Sequence, residues 1–290
     1  MDERLFSTLA RWLADRPVVL ASVASTQGAT PRKCGSRMLI GTPTIDGSVG
    51  GGLAEAHVIA EARKMLGAEI DNSTLMLDLG GGIGAAGICG GRMHIVLRRW
   101  SGAADCQLAG RIAESLAAGR RVPLDSGALG TGVESQLAIP NVRLLIIGAG
   151  HCGAALSELA QPLDFEIHVF DSRAECLLST AFSHATTHCG DADELGRISD
   201  TERDVQAVLL NRNFEADVAA LRVLGQKPPR FIGMLGSHRR ITEVRRALPE
   251  LQEPLRDLVA PIGLDIGAET PHEIAISILA QLIEHRRRYR

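Results

Sequence analysis

Gly148, Gly150 and Gly153 stand in V-R-L-L-I-I-G-A-G-H-C-G (142–153) with the spacing G-x-G-x-x-G. A β-branched apolar run precedes them and an Ala/Leu run with helical spacing follows, so the stretch reads as strand, tight turn and helix. The first glycine permits the turn, the second lets the backbone approach a ligand, and the third lets helix and strand pack closely. The N–H groups that open such a helix favour an anion such as phosphate. His151 lies inside the turn and is read as a ligand contact. Asp171 ends the next apolar run, close to the ~20 residues past the glycines where a ribose-binding carboxylate is expected. It also suits a helix N-cap.

Three further places could hold a ligand. Ser48-Val49-Gly50-Gly51-Gly52 opens a second helix with Glu55 and His57 near its start. Gly51, Gly52 and Glu55 there form either a ligand-contacting loop or a tight turn with a capping acid. Gly80–Gly91 (G-G-G-I-G-A-A-G-I-C-G-G) places Cys89 between glycines. An exposed thiol beside a helix N-terminus or an arginine ionises and ligates a metal or reacts, whereas a buried one is inert. Gly236-Ser237 opens an arginine-rich helix and is another anion site.

The elements that must position these residues alternate along the chain. Leu5, Leu9, Trp12 and Leu13 predict a helix over 3–14. Strands are expected at 17–26 and 36–40, joined by a loop with Arg32 and Lys33. Residues 44–47 read as a turn, with Asp46-Gly47 suggesting a hairpin. A helix over about 53–66, strands at 74–79 and 93–97, and a helix over 104–118 follow. Residues 119–140 lose helical periodicity, hold Gly, Pro and Ser, and read as a linker, which puts a domain boundary at 138/139. The first domain, 1–138, is thus a small α/β domain with glycine-rich loops. The second, 139–290, is a Rossmann-like doubly wound parallel sheet with a C-terminal docking helix. Its strand ends bring Gly148–Gly153, Asp171, Asp191, Asn211–Asn213 and Gly236–Arg239 to one edge. Thr270-Pro271-His272-Glu273 is a capping box with Pro at N1. The helix it starts docks on the sheet or on the first domain, and the closing H-R-R-R-Y-R reads as a solvated end.

Composition narrows the function classes. A chain of 290 residues suggests two domains; 45% apolar and 22% charged residues are ordinary for a soluble protein. A net charge of −3 argues against a nucleic-acid binder. With no long apolar run and no signal-peptide core, the chain reads as cytoplasmic and free of membranes. Cysteines 34, 89, 106, 152, 176 and 189 contain no C-x-x-C pair, so neither a zinc site nor a disulfide framework is suggested. Tyr289 is the only tyrosine, which excludes a Tyr-x-x-x-Lys dyad. Metalloprotease, nucleophile-elbow and P-loop motifs do not occur. No catalytic residue is therefore named. An NAD(P)-dependent oxidoreductase is the alternative, with Asp171 favouring NAD over NADP because a carboxylate repels a 2′-phosphate.

Six stretches carry a resemblance: T-Q-G-A-T-P-R-K-C-G-S-R-M-L-I (26–40), G-S-V-G-G-G-L-A-E (47–55), I-C-G-G (88–91), I-I-G-A-G-H-C-G (146–153), F-I-G-M-L-G-S-H-R-R (231–240) and P-I-G-L-D-I-G-A-E-T-P-H-E-I-A-I-S-I-L-A (261–280). In this order the chain resembles the xanthine dehydrogenase accessory protein family. The resemblance implies a homodimer that holds molybdenum cofactor (molybdopterin), favours its sulfurated form and hands it to a xanthine dehydrogenase-like apoenzyme. A cysteine desulfurase is an implied partner. Cys89 then becomes a candidate molybdenum contact, since thiolates are soft ligands. Two departures stand out. Leu53 occupies a place where many relatives carry cysteine, and L-N-R-N-F-E-A-D (210–217) has Asn213 where relatives carry histidine, with Asp217 retained.

Overall fold

Alternating apolar residues in Val18–Gln27 make the central strand of the first sheet. In the computed structural model, which describes residues 2–81 and 85–288, the chain divides into two compact units, Met1–Pro140 and Asn141–Arg290. In the first unit β1 (Val18–Gln27), β2 (Arg37–Ile40), β3 (Ile45–Gly47), β4 (Asn72–Asp78) and β5 (Arg92–Trp100) form an antiparallel sheet in the order β3-β2-β1-β5-β4. Alternation sends Val19, Ala21 and Val23 to one face, against Val58, Ala62 and Met65 of α2 (Gly52–Ala68). Val18 and Leu20 go to the other, against α1 (Asp2–Leu13) and α3 (Gly102–Ala117). Leu5, Phe6 and Leu9 of α1 are buried there, each stabilising by about 1.5–3 kcal/mol.

Two expectations for this unit are corrected. Residues 45–47 are not a hairpin turn but edge strand β3, with Met38 opposite Gly47 and Ile40 opposite Ile45. The chain reverses earlier, where Gly41 N–H donates to Thr44 O (2.8 Å). Arg16 clamps that reversal by donating to Thr42 O (3.1 Å) and Thr44 Oγ1 (2.9 Å). Gly47 is needed for a close approach, because a Cβ there would lie 2.6 Å from Arg37 O.

Nor is 119–140 a linker. It forms β6 (Val122–Leu124), α4 (Ser126–Leu129) and β7 (Gln136–Ala138), whose Leu124, Ala128, Leu129 and Ala138 join the core of α1 and α3. Buried Arg37 ties the segment in: it donates to Asp2 Oδ1 (2.7 Å) and to Gln136 Oε1 (2.9 Å). Ile139 N–H donates to Asp2 Oδ2 (2.9 Å).

The second unit holds β8 (Val142–Ile147), α5 (His151–Ala160), β9 (Phe165–Asp171), β10 (Thr186–Cys189), α6 (Ala192–Ser199), β11 (Val205–Leu209), α7 (Phe214–Gln226), β12 (Phe231–Met234), α8 (His238–Ala247) and α9 (Pro271–Arg288). The sheet is parallel, in the order β10-β9-β8-β11-β12. The fold is α/β with a Rossmann-like second unit. Strand order reverses at β8, the topological switch point where such sheets bind ligands. One face of β8, Leu144 and Ile146, packs with α5 and α9; the other, Leu145 and Ile147, packs with α6, α7 and α8. The last helix thus packs on its own sheet. Thr270 and Glu273 close its start reciprocally, Thr270 N–H donating to Glu273 Oε2 (2.9 Å) and Glu273 N–H to Thr270 Oγ1 (3.3 Å). Parts of two sequence expectations, residues 82–84 of the Cys89 stretch and Tyr289-Arg290 of the tail, lie outside the described residues. Among the described residues no helix is long and apolar enough to cross a membrane.

Candidate functional site

The C-terminal ends of β8, β9, β11 and β12 surround a cleft of about 1160 Å³. Its walls include Gly148, Gly150, His151, Cys152, Asp171 and Arg173, with Asp191, Asn211, Arg212, Asn213 and Gly236 beyond them. At the turn, Gly148 has φ 115°, and an added Cβ would lie 2.9 Å from Asn211 Oδ1. Gly153 is not on the wall; a Cβ there would overlap the carbonyl oxygen of Gly148, so this glycine sets helix–strand packing. Gly150 is the N-cap of α5 and a Cβ on it would meet nothing within 4 Å. His151 is not inside the turn, as the sequence suggested, but is the first residue of α5.

Four helices open near this edge. Asp191 caps α6, accepting from Asp193 and Glu194 N–H; Asn213 caps α7, accepting from Ala216 N–H; Ser237 caps α8, accepting from Arg240 N–H. The α5 N-terminus has Gly150 and no side-chain cap. Its N–H groups are the ones left to meet a ligand anion. Ser237, expected to help bind an anion, is spent on its own helix. Asn213 is likewise explained as a cap.

Asp171 is almost wholly buried and accepts hydrogen bonds from Ala149 N–H (2.9 Å) and from Arg173. Burial pushes its carboxyl up, but the Arg173 guanidinium and the Ala149 and Arg173 N–H groups outweigh that and hold it below the usual range. Across the cleft Asp217 is fully buried, accepting from Asn211 Nδ2 (3.2 Å) and Arg240 Nε (3.1 Å). Burial raises its pKa despite those partners. This network ties the loop after β11 to α7 and α8. Arg212 stands near Cys152, whose thiol is pushed up by burial and pulled down by that guanidinium. Cys152 and Cys176 both line the cleft. Sequence reasoning placed Cys152 and Arg212 on this edge within their stretches but missed Arg173 and Cys176 as wall residues. Only D-x-R at 171–173 gave a local signal.

Below the cleft, at the start of β9, Glu166 accepts from Arg143 Nε (2.7 Å) and lies 3.1 Å from Arg203 Nε. Burial would raise its carboxyl pKa; His168, Arg143 and Arg203 together lower it to about 2.

The remaining predicted residues sit in the first unit. Gly51 takes φ 78° as the N-cap of α2, and Gly52, its first residue, takes φ 59°. Glu55 turns back on them: its Oε2 accepts from Ser48 Oγ (2.6 Å), Gly51 N–H (3.1 Å) and Val49 N–H (3.3 Å). Cys89 is exposed on a loop whose Gly91 packs against the backbone of Gln27 and Ala29. Pro31 of the 27–35 loop approaches Gly50, so all three loops gather at one end of the first sheet. Among the described residues no group of three or more His, Cys, Asp or Glu side chains is placed to hold a metal ion.

Comparison with known proteins agrees with this geometry. The family model described as the XdhC Rossmann domain matches residues 144–282, and that of the XdhC and CoxI family matches residues 11–75. The chain belongs to the XdhC and CoxI family. It is similar to a crystal structure of a xanthine dehydrogenase from Bacillus halodurans, with a TM-score of 0.85 and 27% identity, covering 100% of this chain and 96% of that one. It is 28% identical to the uncharacterized protein YqeB of Escherichia coli (strain K12), over 92% of this chain and 43% of that protein. It is 31% identical to a probable xanthine dehydrogenase component from Bacillus subtilis (strain 168), over 51% of this chain and 44% of that protein. The molybdenum cofactor insertion chaperone PaoD of E. coli (strain K12) is 23% identical, over 94% of this chain and 85% of its own length. The alignments thus span less than half the length of the first two relatives.

Proposed function

We propose that this protein is an accessory chaperone for a molybdenum hydroxylase of the xanthine dehydrogenase type: it binds molybdenum cofactor, assists its sulfuration and hands it to the apoenzyme. The observation that carries this is the uncapped N-terminus of α5 opening on a cleft of about 1160 Å³ in a chain of the XdhC and CoxI family. The cofactor's phosphate sits on the N–H groups of α5, where the helix dipole favours negative charge. A cavity of this size takes a pterin with its phosphate and metal, being at or above the roughly 300–1,000 Å³ of ordinary ligand pockets. Cys152 and Cys176 supply soft donors in the same cleft, and Cys89 supplies an exposed one in the first unit. The similarity to PaoD supports the same role. A cysteine desulfurase as sulfur source and a second copy of the chain as partner belong to this reading, set in the cytoplasm.

The dinucleotide alternative keeps the glycine turn but loses its ribose acid, because Asp171 is committed to Ala149 and Arg173. The deciding experiment coexpresses the protein with an empty hydroxylase and measures molybdenum and pterin in each. Pterin and molybdenum on the purified protein, with restored hydroxylase activity, are the expected result. A protein free of both, with no effect on the hydroxylase, would overturn the proposal.

A further inference from the structure

Asp171 stands where a dinucleotide-binding sheet places the carboxylate that reads a ribose diol. Its oxygens are already engaged. Oδ1 accepts from Arg173 N–H (3.0 Å) and Arg173 Nε (3.0 Å). Oδ2 accepts from Ala149 N–H (2.9 Å) and Arg173 Nη2 (2.8 Å). A carboxylate offers about four lone-pair sites, so the set is full. The Asp171 side chain is 4% exposed and that of Arg173 is 59% exposed. At the end of β9 the group turned outward on the cleft wall is therefore a guanidinium, with the donors not used by Asp171 left over. A diol could reach Asp171 only by breaking a bidentate, charge-assisted pair, and it would bring no charge to replace it.

The geometry points to Arg173 as the residue that sets ligand specificity in this cleft: it closes Asp171 to a bare ribose diol and receives a phosphate monoester. This rests on the cleft being the ligand site, as in the function proposed above. It reverses the preference that Asp171 suggests by its position alone. A planar guanidinium already fixed on one edge by a buried carboxylate is preorganised for a phosphate on its other edge. The phosphate monoester has two possible sources, a pterin phosphate or the 2′-phosphate of a nucleotide, and the experiment separates them.

The full chain is titrated calorimetrically with NAD+, NADP+ and a pterin phosphate, as wild type, Arg173→Ala and Arg173→Lys. Wild type is expected to bind NADP+ at least about tenfold tighter than NAD+, the size of one charge-assisted hydrogen bond. Arg173→Ala is expected to lose that preference and gain NAD+ affinity as Asp171 becomes free. Arg173→Lys, with its charge but no fork, should fall between. Equal affinity of wild type for NAD+ and NADP+ overturns the inference. So does an unchanged preference in Arg173→Ala, or the absence of NADP+ binding to wild type together with no NAD+ gain in the variant. Pterin phosphate that competes with NADP+ in wild type but not in Arg173→Ala assigns the site to the pterin. If NADP+ preference holds and pterin phosphate does not compete, the Arg173 assignment stands and the cofactor-chaperone reading fails.

Discussion

Two glycine turns open helices in this protein, and they end differently. At α2 the chain brings its own anion: Glu55 accepts from Ser48, Val49 and Gly51 and so fills the position over the turn. At α5 the cap is Gly150, no side chain returns, and the N–H groups look into a cleft. The same sequence punctuation thus gives a self-satisfied turn in one unit and a receptive one in the other. What distinguishes them is an acid four residues past Gly51, which has no counterpart in the first turn of α5.

The most severe way to probe this contrast is at Gly153. Gly153→Val drives a side chain into the Gly148 carbonyl and is expected to cost about 4 kcal/mol, more than ordinary overpacking because backbone must move. Gly150→Ala meets nothing and should stay within about 0.5 kcal/mol while weakening anion binding. Denaturant unfolding that shows equal losses for the two would erase the division between packing glycine and ligand glycine.

A second internally held anion, Glu166, contributes to the acid sensitivity of the second unit. Its folded pKa of about 2 lies below the unfolded 4.5. Its contribution, about 3 kcal/mol, is complete above the unfolded value and is lost as pH falls toward 2. Glu166→Gln should flatten that part of the stability profile; an unchanged profile would show that Arg143 and Arg203 do not hold the carboxylate in solution.

Glu55→Ala tests the other side of the comparison. It should cost about 1 kcal/mol, and added phosphate should restore part of it by taking the carboxylate's place. No phosphate effect on the variant would mean that the α2 turn has no affinity for external anions. The smallest structural effect is expected for Cys89→Ala. The residue is exposed, so thermal stability should move by less than about 0.5 kcal/mol, while molybdenum retained by the purified protein falls. Unchanged molybdenum content would leave the cleft thiols Cys152 and Cys176 as the soft donors.

What was legible in the sequence was local. β8, the glycine turn and α5 are one continuous pattern of periodicity and punctuation, and so is the Thr270–Glu273 cap. The errors came where distant residues decide. The turn at 41–44 is clamped by Arg16, 26 residues before Thr42, while Asp46-Gly47 carries a hairpin signature inside a strand. Residues 119–140 have no periodicity because they are sewn in by Arg37 and Asp2. Position placed Asp171 at the cleft edge, but only geometry shows that Arg173 takes its oxygens. Arg240 and Asp217 meet across 23 residues, a pairing that no spacing rule reveals.

The grip of Asp2 on Ile139 also makes the first unit depend on its far end. Its first helix and its last strand share one hydrogen-bond network through Arg37, so a nascent chain stopped short of residue 136 keeps a charged arginine without its full set of acceptors. A first unit cut short of residue 136 is therefore expected to be less stable than the intact one. Because Asp2 and Ile139 lie within one side chain's reach, the unit is also suited to circular permutation through a short linker, with new ends cut in a surface loop.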